Sequence, residues 1–316
     1  MILPEYFISC DWGTSNFRLR VVETHSLKVL DQTQTNVGIK ALNEQFLASD
    51  TQTRLDVFGD YLATQLLNFK TEHRKHLVVI SGMASSNIGL EELPYAHVPF
   101  DGSGENLLWK KITLKNDLNI LLISGVKTQN SMMRGEEIQA IGLEDLLKPY
   151  TSGILLLPGT HSKHLAYQNE QFTAMKTFMT GELFALLSEK SILAGSVAAH
   201  GFGEKEKITF GQGVKLGLSE NFSEHLFSVR ANTVLHQMPH TENYYFLSGL
   251  LIGNELAYLQ NKAETLFLCA AEPVFSLYKM ALEIIVHSEK LILFDASHIV
   301  NALLNGQRKI LKLYVA

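Results

Sequence analysis

Two short stretches of small hydrogen-bonding residues are placed to hold anions. Gly13, Thr14, Ser15 and Asn16 follow Asp11 in DWGTSNFRL, and Gly159, Thr160, His161 and Ser162, with Lys163, lie in LPGTHSKHL. A hairpin turn of such residues exposes backbone N–H groups and hydroxyls with little bulk around them, a concavity that binds anions. Two such turns facing across a cleft would hold a triphosphate from both sides. Asp11 ends the strand before the first turn and sets a carboxylate beside the expected phosphates, and carboxylate plus phosphate is how Mg²⁺ is usually held. The alternative for Asp11 and Thr14 is that they only hydrogen-bond their own turn. His161 and His164 invite a metal reading, yet residues three apart on a strand face opposite sides, so phosphate contact is the better expectation. No G-x-x-x-x-G-K-[ST] string occurs, which excludes a P-loop. GQGVKLG at 211–217 imitates a dinucleotide fingerprint but has the wrong third spacing.

The elements that must position these turns read as α/β. Residues 5–12, 17–23 and 27–34 are rich in β-branched and aromatic side chains and predict a three-strand meander. Apolar residues at helical spacing follow over 43–70. HLVVISGM (76–83) and LNILLISGV (118–126) predict buried strands ending in glycine turns. MRGEEIQAIGLEDLL (133–147) predicts a helix with Glu136 and Glu137 in its first turn, where the dipole favours acids. Three more strands are expected at 153–159, 163–168 and 172–179, then a helix at 181–193, helical chain to about 262, and a closing βαβα pattern. Sliding the chain by 146 residues pairs Gly13 with Gly159, Thr14 with Thr160 and Leu19 with Leu165. An offset near half the chain is what a duplication leaves. The expected division is therefore 1–145, with the first hairpin, and 146–316, with the second.

The 316 residues fit about two domains. Lys+Arg 27 against Asp+Glu 32 gives a net charge of −5, which argues against a nucleic-acid binder and a polybasic membrane-surface protein. Cys10 and Cys269 are too few for a disulfide framework. MILPEYFISCD has no positive stretch and meets Glu5 and Asp11, so no signal peptide is expected. No apolar run reaches the roughly 18 residues of a membrane span. The expectation is a cytoplasmic globular protein.

ISCDWGTSNFRLR, SGMASSNIG, MRGEEIQAIG, LLPGTHSKHL, FMTGELFALL and FLSGLLIGNE occur in the order seen in the 2-dehydro-3-deoxygalactonokinase family. The chain resembles that family from about residue 6 to 295. The resemblance implies two ribonuclease-H-like domains, each a copy of a duplicated βββαβα unit, closing an interdomain cleft on ATP and substrate. It also implies ATP- and Mg²⁺-dependent phosphorylation of the 6-hydroxyl of 2-dehydro-3-deoxy-D-galactonate. The sugar acid would sit in the N-terminal domain and the nucleotide in the C-terminal one. In sugar kinases of this kind the base lies on a helix about two dozen residues before the second hairpin, which makes Glu136 the first candidate and Glu137 the second. The alternative is that both acids only complement the helix dipole. Arg134 would make a bidentate contact to the substrate carboxylate. Ser85, Ser86 and Asn87 would supply short donors; Arg18 would serve phosphate or substrate, or be structural. Glu182 would contact substrate hydroxyls or cap its helix. Gly249 and Gly253, four apart, are expected to let two helices pack closely.

One loop departs from the family pattern. Where the family shows Gly-Thr-Ser beside the adenine, this chain has Ala270, Ala271, Glu272 and Pro273, and the later Gly-Asp turn is Phe294-Asp295. Ala271 would then face the nucleotide. Alanine adds a methyl where backbone should approach the base, and Glu272 adds negative charge. Two function classes follow: a sugar-acid kinase, for this or another 2-keto-3-deoxy acid, and a catalytically impaired protein that binds sugar acid or nucleotide as a regulator.

Overall fold

The structure is a computed structural model and describes residues 2–316. The chain forms two compact units: Met1–Thr151 with Tyr167–Met175 and Ser297–Ala316, and Ser152–Ala166 with Lys176–Ala296.

The first unit is built on a sheet of β1 (Tyr6–Trp12), β2 (Phe17–Glu23), β3 (Val29–Thr35), β4 (Val78–Gly82), β5 (Trp109–Thr113) and β6 (Asn119–Ile123), in the order β3-β2-β1-β4-β6-β5. β1, β2 and β3 pair antiparallel as the expected meander, while β1, β4 and β6 run parallel. The alternation of β1 sends Ile8, Cys10 and Trp12 to one face, where they pack with Phe58 and Leu62. Those two come from α2 (Arg54–Leu66), which follows α1 (Ile39–Leu47). The single helical stretch expected over 43–70 is thus two helices. Thr53 makes the break: its hydroxyl accepts from the Asp56 N–H while the Asp56 carboxylate accepts from the Thr53 N–H, a capping box that starts a new helix. The helix expected from 133 starts at Glu136 instead, as α3 (Glu136–Leu147), because Gly135 sits at φ 110° and Met132–Met133 pairs as a short strand. The strand at Trp109–Thr113, antiparallel to β6, was not expected from sequence. The closing helix α9 (Ala296–Val315) packs in this unit, where Gln307 Nε2 donates to the Cys10 carbonyl and Ser81 Oγ.

A second sheet carries β7 (Ser152–Leu157), β8 (Ser162–Gln168), β9 (Gln171–Phe178), β10 (Thr265–Cys269) and β11 (Leu291–Phe294), with neighbour order β9-β8-β7-β10-β11. β7, β10 and β11 run parallel. This repeats the order β3-β2-β1-β4-β6, so both sheets use one strand plan and the class is α/β, as expected. The expected helix at 181–193 is α4 (Thr180–Lys190), which ends at Ser191, whose hydroxyl caps the next turn. Three longer helices follow: α5 (Glu204–Gly217), α6 (Phe222–His236) and α7 (His240–Leu256); α8 (Val274–Ile285) joins β10 to β11. Among the described residues no helix is long and apolar enough to cross a membrane.

The glycines of GQGVKLG and FLSGLLIGNE meet each other. A Cβ at Gly213 would lie 2.2 Å from the Phe246 carbonyl oxygen, and one at Gly249 would lie 2.2 Å from that of Phe210. Gly217 and Gly253 repeat the contact one turn on, with Leu250 and Val214. The first string is therefore a packing stripe and not a nucleotide loop. A Gly249→Ala methyl gains ~1 kcal/mol of helix propensity but must push the two backbones apart. Overpacking of this kind costs about 1–3 kcal/mol or more. Urea unfolding of Gly249→Ala is expected to give a net loss of up to ~2 kcal/mol. Gly195→Ala, which meets nothing within 4 Å, is expected to stay within about 0.5 kcal/mol of wild type.

Candidate active site

The first candidate site lies at the carboxyl ends of β1, β4 and β6, where ligands of parallel sheets collect. The Gly13 N–H donates to the Asn16 carbonyl at 2.9 Å and closes the first turn, with Thr14, Ser15 and Asn16 exposed. The start of α1 docks on this turn: Ile39 and Lys40 N–H groups donate to the Gly13 and Thr14 carbonyls at 3.0 and 3.1 Å. Gly38 permits it, since a Cβ there would sit 2.3 Å from the Thr14 oxygen. Asp11 is half-buried, with Arg18 Nη1 3.8 Å from its carboxylate, while Arg18 Nε reaches Gln34 at 3.4 Å. Burial pushes the Asp11 carboxyl above its ordinary range, and Arg18 and Arg20 pull it back.

Trp12 and Gly82 are register partners, and Gly82, at φ 96°, also nears Gly135: a Gly135 Cβ would lie 3.5 Å from the Gly82 Cα. Both turns need positive φ, which glycine alone adopts without cost. The contact brings RGEE beside ASSN. Arg134 Nη1 donates to Ser85 Oγ at 2.6 Å and Nη2 to the Leu93 carbonyl at 3.0 Å, and the guanidinium stacks 3.9 Å from the Tyr95 ring centroid. Its buried Nε has no hydrogen-bond partner in the structure. Ser86 turns back to the Met83 carbonyl, and Asn87 is exposed, its own carbonyl held by Arg54.

The two acids of α3 separate clearly. Glu136 is half-buried and accepts from the Arg134 N–H at 3.1 Å. Glu137 is 1% exposed, and both its oxygens accept from the Gly135 N–H at 2.8 Å. Burial, then the neighbouring Glu136, pushes the Glu137 carboxyl up to about 8.

The second unit repeats the docking. Gly159, Thr160 and His161 are exposed at the second turn, and the Glu182 N–H donates to the Thr160 carbonyl at 3.1 Å. A Cβ at Gly181 would lie 2.6 Å from the Gly159 oxygen. His161 Nε2 and the Glu182 carboxylate are 2.5 Å apart. Ser162, Lys163 and His164 are buried on β8, away from the exposed turn. Beside the turn opens a cavity of about 600 Å³ lined by Gly159, Thr180, Gly181 and Lys207, the aromatic rings of Phe184, Phe202, Tyr244, Tyr245 and Tyr278, and Glu272–Val274. Ala271 is exposed and is not among the lining residues, although Glu272 and Pro273 are. The Glu272 carboxylate accepts from the Ser276 hydroxyl at 2.8 Å and its N–H at 3.3 Å, in the first turn of α8.

Sequence reasoning missed Tyr95, Gly38 and the docking role of Gly181. The glycines carried a signal, one standing after each hairpin in VGIK and TGEL. Tyr95 carried none. Among the described residues no group of three or more His, Cys, Asp or Glu could hold a metal. A single carboxylate such as Asp11 nonetheless suits Mg²⁺, which takes one or two carboxylates and completes its shell with phosphate and water. The two turns can bind phosphate, the cavity a flat ring system, and Arg134 an anion.

The sequence profile of the family described as 2-keto-3-deoxy-galactonokinase matches residues 11–304. The chain is similar to the 2-dehydro-3-deoxygalactonokinase of Escherichia coli K12, 33% identical over 81% of this chain and 80% of that one. It is similar to a candidate 2-dehydro-3-deoxygalactonokinase of Rhizobium meliloti 1021, 29% identical over 81% of each chain. The crystal structure of a candidate 2-dehydro-3-deoxygalactonokinase from Sinorhizobium meliloti superposes with a TM-score of 0.78, at 26% identity, covering 96% of this chain and 95% of that one.

The raised Glu137 carboxyl has a thermodynamic consequence. Below its unfolded value both states hold the proton, and its contribution is fully present. Between about 4.5 and about 8 the native state keeps a proton that the unfolded state has lost, so stability falls as pH rises. Denaturant unfolding of wild type against Glu137→Gln is expected to diverge in the variant's favour across that window, with a limiting slope of about 1.4 kcal/mol per pH unit. A pH-independent difference would contradict the protonation assignment.

Proposed function

The chain belongs to the 2-keto-3-deoxy-galactonokinase family, and on that footing we propose that it is an ATP-dependent kinase for the 6-hydroxyl of 2-dehydro-3-deoxy-D-galactonate. The observation that carries the nucleotide half is the cavity: aromatic rings and the Gly159–Gly181 turn line the same space, suited to a base and its phosphates. The Glu272 side chain does not oppose this, because its charge is taken up by the start of α8.

In this reading Thr14, Ser15 and Asn16 in the first unit, and Gly159, Thr160 and His161 in the second, each bind phosphate through amides and hydroxyls. Asp11 would hold Mg²⁺, which supplies charge neutralisation at the phosphate oxygens when bound. The substrate carboxylate meets Arg134, which Ser85, the Leu93 carbonyl and Tyr95 hold in one orientation. Glu136 is the base. Its half-exposed carboxylate takes the proton of the 6-hydroxyl as that oxygen bonds to the γ-phosphorus and the bond to the β–γ bridging oxygen breaks, releasing ADP. Glu137 is too buried for that role and mostly holds its own proton at neutral pH. The first unit would serve the sugar acid and the second the nucleotide. A cytoplasmic location, where ATP is available, belongs to the same proposal.

The test is ADP release over a panel of 2-keto-3-deoxy acids, with product mass locating the phosphate. Glu136→Gln is expected to lower kcat by about 10²–10⁴-fold, with the MgATP-induced rise in Tm retained. Near-wild-type turnover in that variant would remove Glu136 from the role.

A further inference from the structure

Beneath the second hairpin runs a line of buried polar side chains that phosphoryl transfer does not itself call for. His164 lies between two partners: Nδ1 is 2.8 Å from the Tyr258 hydroxyl and Nε2 is 2.7 Å from Glu255 Oε1. The Tyr278 O–H donates to the other Glu255 oxygen at 2.6 Å, and the Tyr278 oxygen is 3.0 Å from Ser162 Oγ. Ser162, His164, Glu255 and Tyr278 are each no more than 3% exposed. Thr180, in the first turn of α4, gives Tyr278 another hydrogen bond.

Since the Tyr278 proton goes to Glu255, the Tyr278 oxygen is left to accept, and the Ser162 hydroxyl must donate to it. One phenol thereby joins α7 through Glu255, α4 through Thr180, the root of the hairpin through Ser162, and its own helix α8. Tyr278 and Thr180 also line the cavity, along with Gly159. Buried groups linked this way are costly to leave unpaired and hold one geometry.

We propose that Glu255 and Tyr278 are positioning residues that fix the distance between the cavity wall formed by α7 and α8 and the phosphate-binding turn. The proposal rests on reading the cavity as the nucleotide site. Neither residue touches the reacting atoms; they set the spacing in which a nucleoside triphosphate is held at both ends at once. A ligand that fills only one end is indifferent to that spacing.

The test compares MgATP with adenosine by calorimetry, for wild type and for Tyr278→Phe, which removes one oxygen. Affinity for MgATP is expected to fall about tenfold while that for adenosine changes by less than about twofold. The KM for the sugar acid should stay unchanged. Glu255→Gln, which keeps the shape of the side chain, gives the same split and serves should the first variant fail to fold. Ser162→Ala added to Tyr278→Phe should weaken MgATP binding no further, because Tyr278→Phe has already broken the link that Ser162 makes. Equal losses for MgATP and adenosine, or no loss for either, would overturn the proposal and leave a purely structural network. A wild-type protein that binds no MgATP would instead overturn the nucleotide reading beneath it, and the two failures are told apart at the first titration.

Discussion

The carbonyl oxygens of both hairpin turns are occupied by helix N–H groups. The first N–H groups of a helix lack partners within it, and the carbonyls of a tight turn would repel an anion placed above it. Docking α1 on Gly13 and Thr14, and α4 on Thr160, answers both needs. The turn is left with hydroxyls and amides on its open side, and the positive end of a helix behind it. The approach is so close that any side chain at Gly38 or Gly181 would enter the backbone of the turn. Both units depend on this contact.

Once the turns are fixed, the parallel strands decide what can stand beside them. In the first unit β1 and β4 end side by side, and the paired glycines Gly82 and Gly135 admit the start of α3 with its two acids. In the second unit the loop after β10 turns into α8 at the cavity wall. The glycine faces of α5 and α7 matter here for the same reason: they lock α7, which carries Glu255, against its neighbour with almost no side chain between them.

Features that depend on near neighbours were legible in the sequence. Strand alternation, the two Gly-Thr turns, the acids opening α3 and the small-residue stripe of FLSGLLIGNE were all read correctly as elements or packing. Features that depend on distant neighbours were not. Tyr95 reaches Arg134 across a loop, and Tyr278 reaches Ser162 across 116 residues. Ser162 and Lys163 were read with the turn because they continue its string of polar residues, yet β8 begins at Ser162 and both are buried. Polarity suggested exposure; the strand took precedence. The break between α1 and α2 was carried by a capping box whose Thr53 and Asp56 stand inside an otherwise helical pattern.

A net charge of −5 is poor company for a polyphosphate and a sugar acid, but few of the acids near the proposed sites act as bare charges. Glu137 holds its proton up to about pH 8. Glu182 faces His161, and Glu272 is bound by the first turn of α8. Glu255 is enclosed between His164 and Tyr278. Asp11 lies 3.8 Å from Arg18, and Glu136 accepts from the Arg134 N–H. A kinase site requires about that much negative charge: one carboxylate to seat a cation and one to receive a proton. The other acids are each hydrogen-bonded where they stand, so the field at the turns is set by amides, helix ends and arginines as much as by the composition of the whole chain.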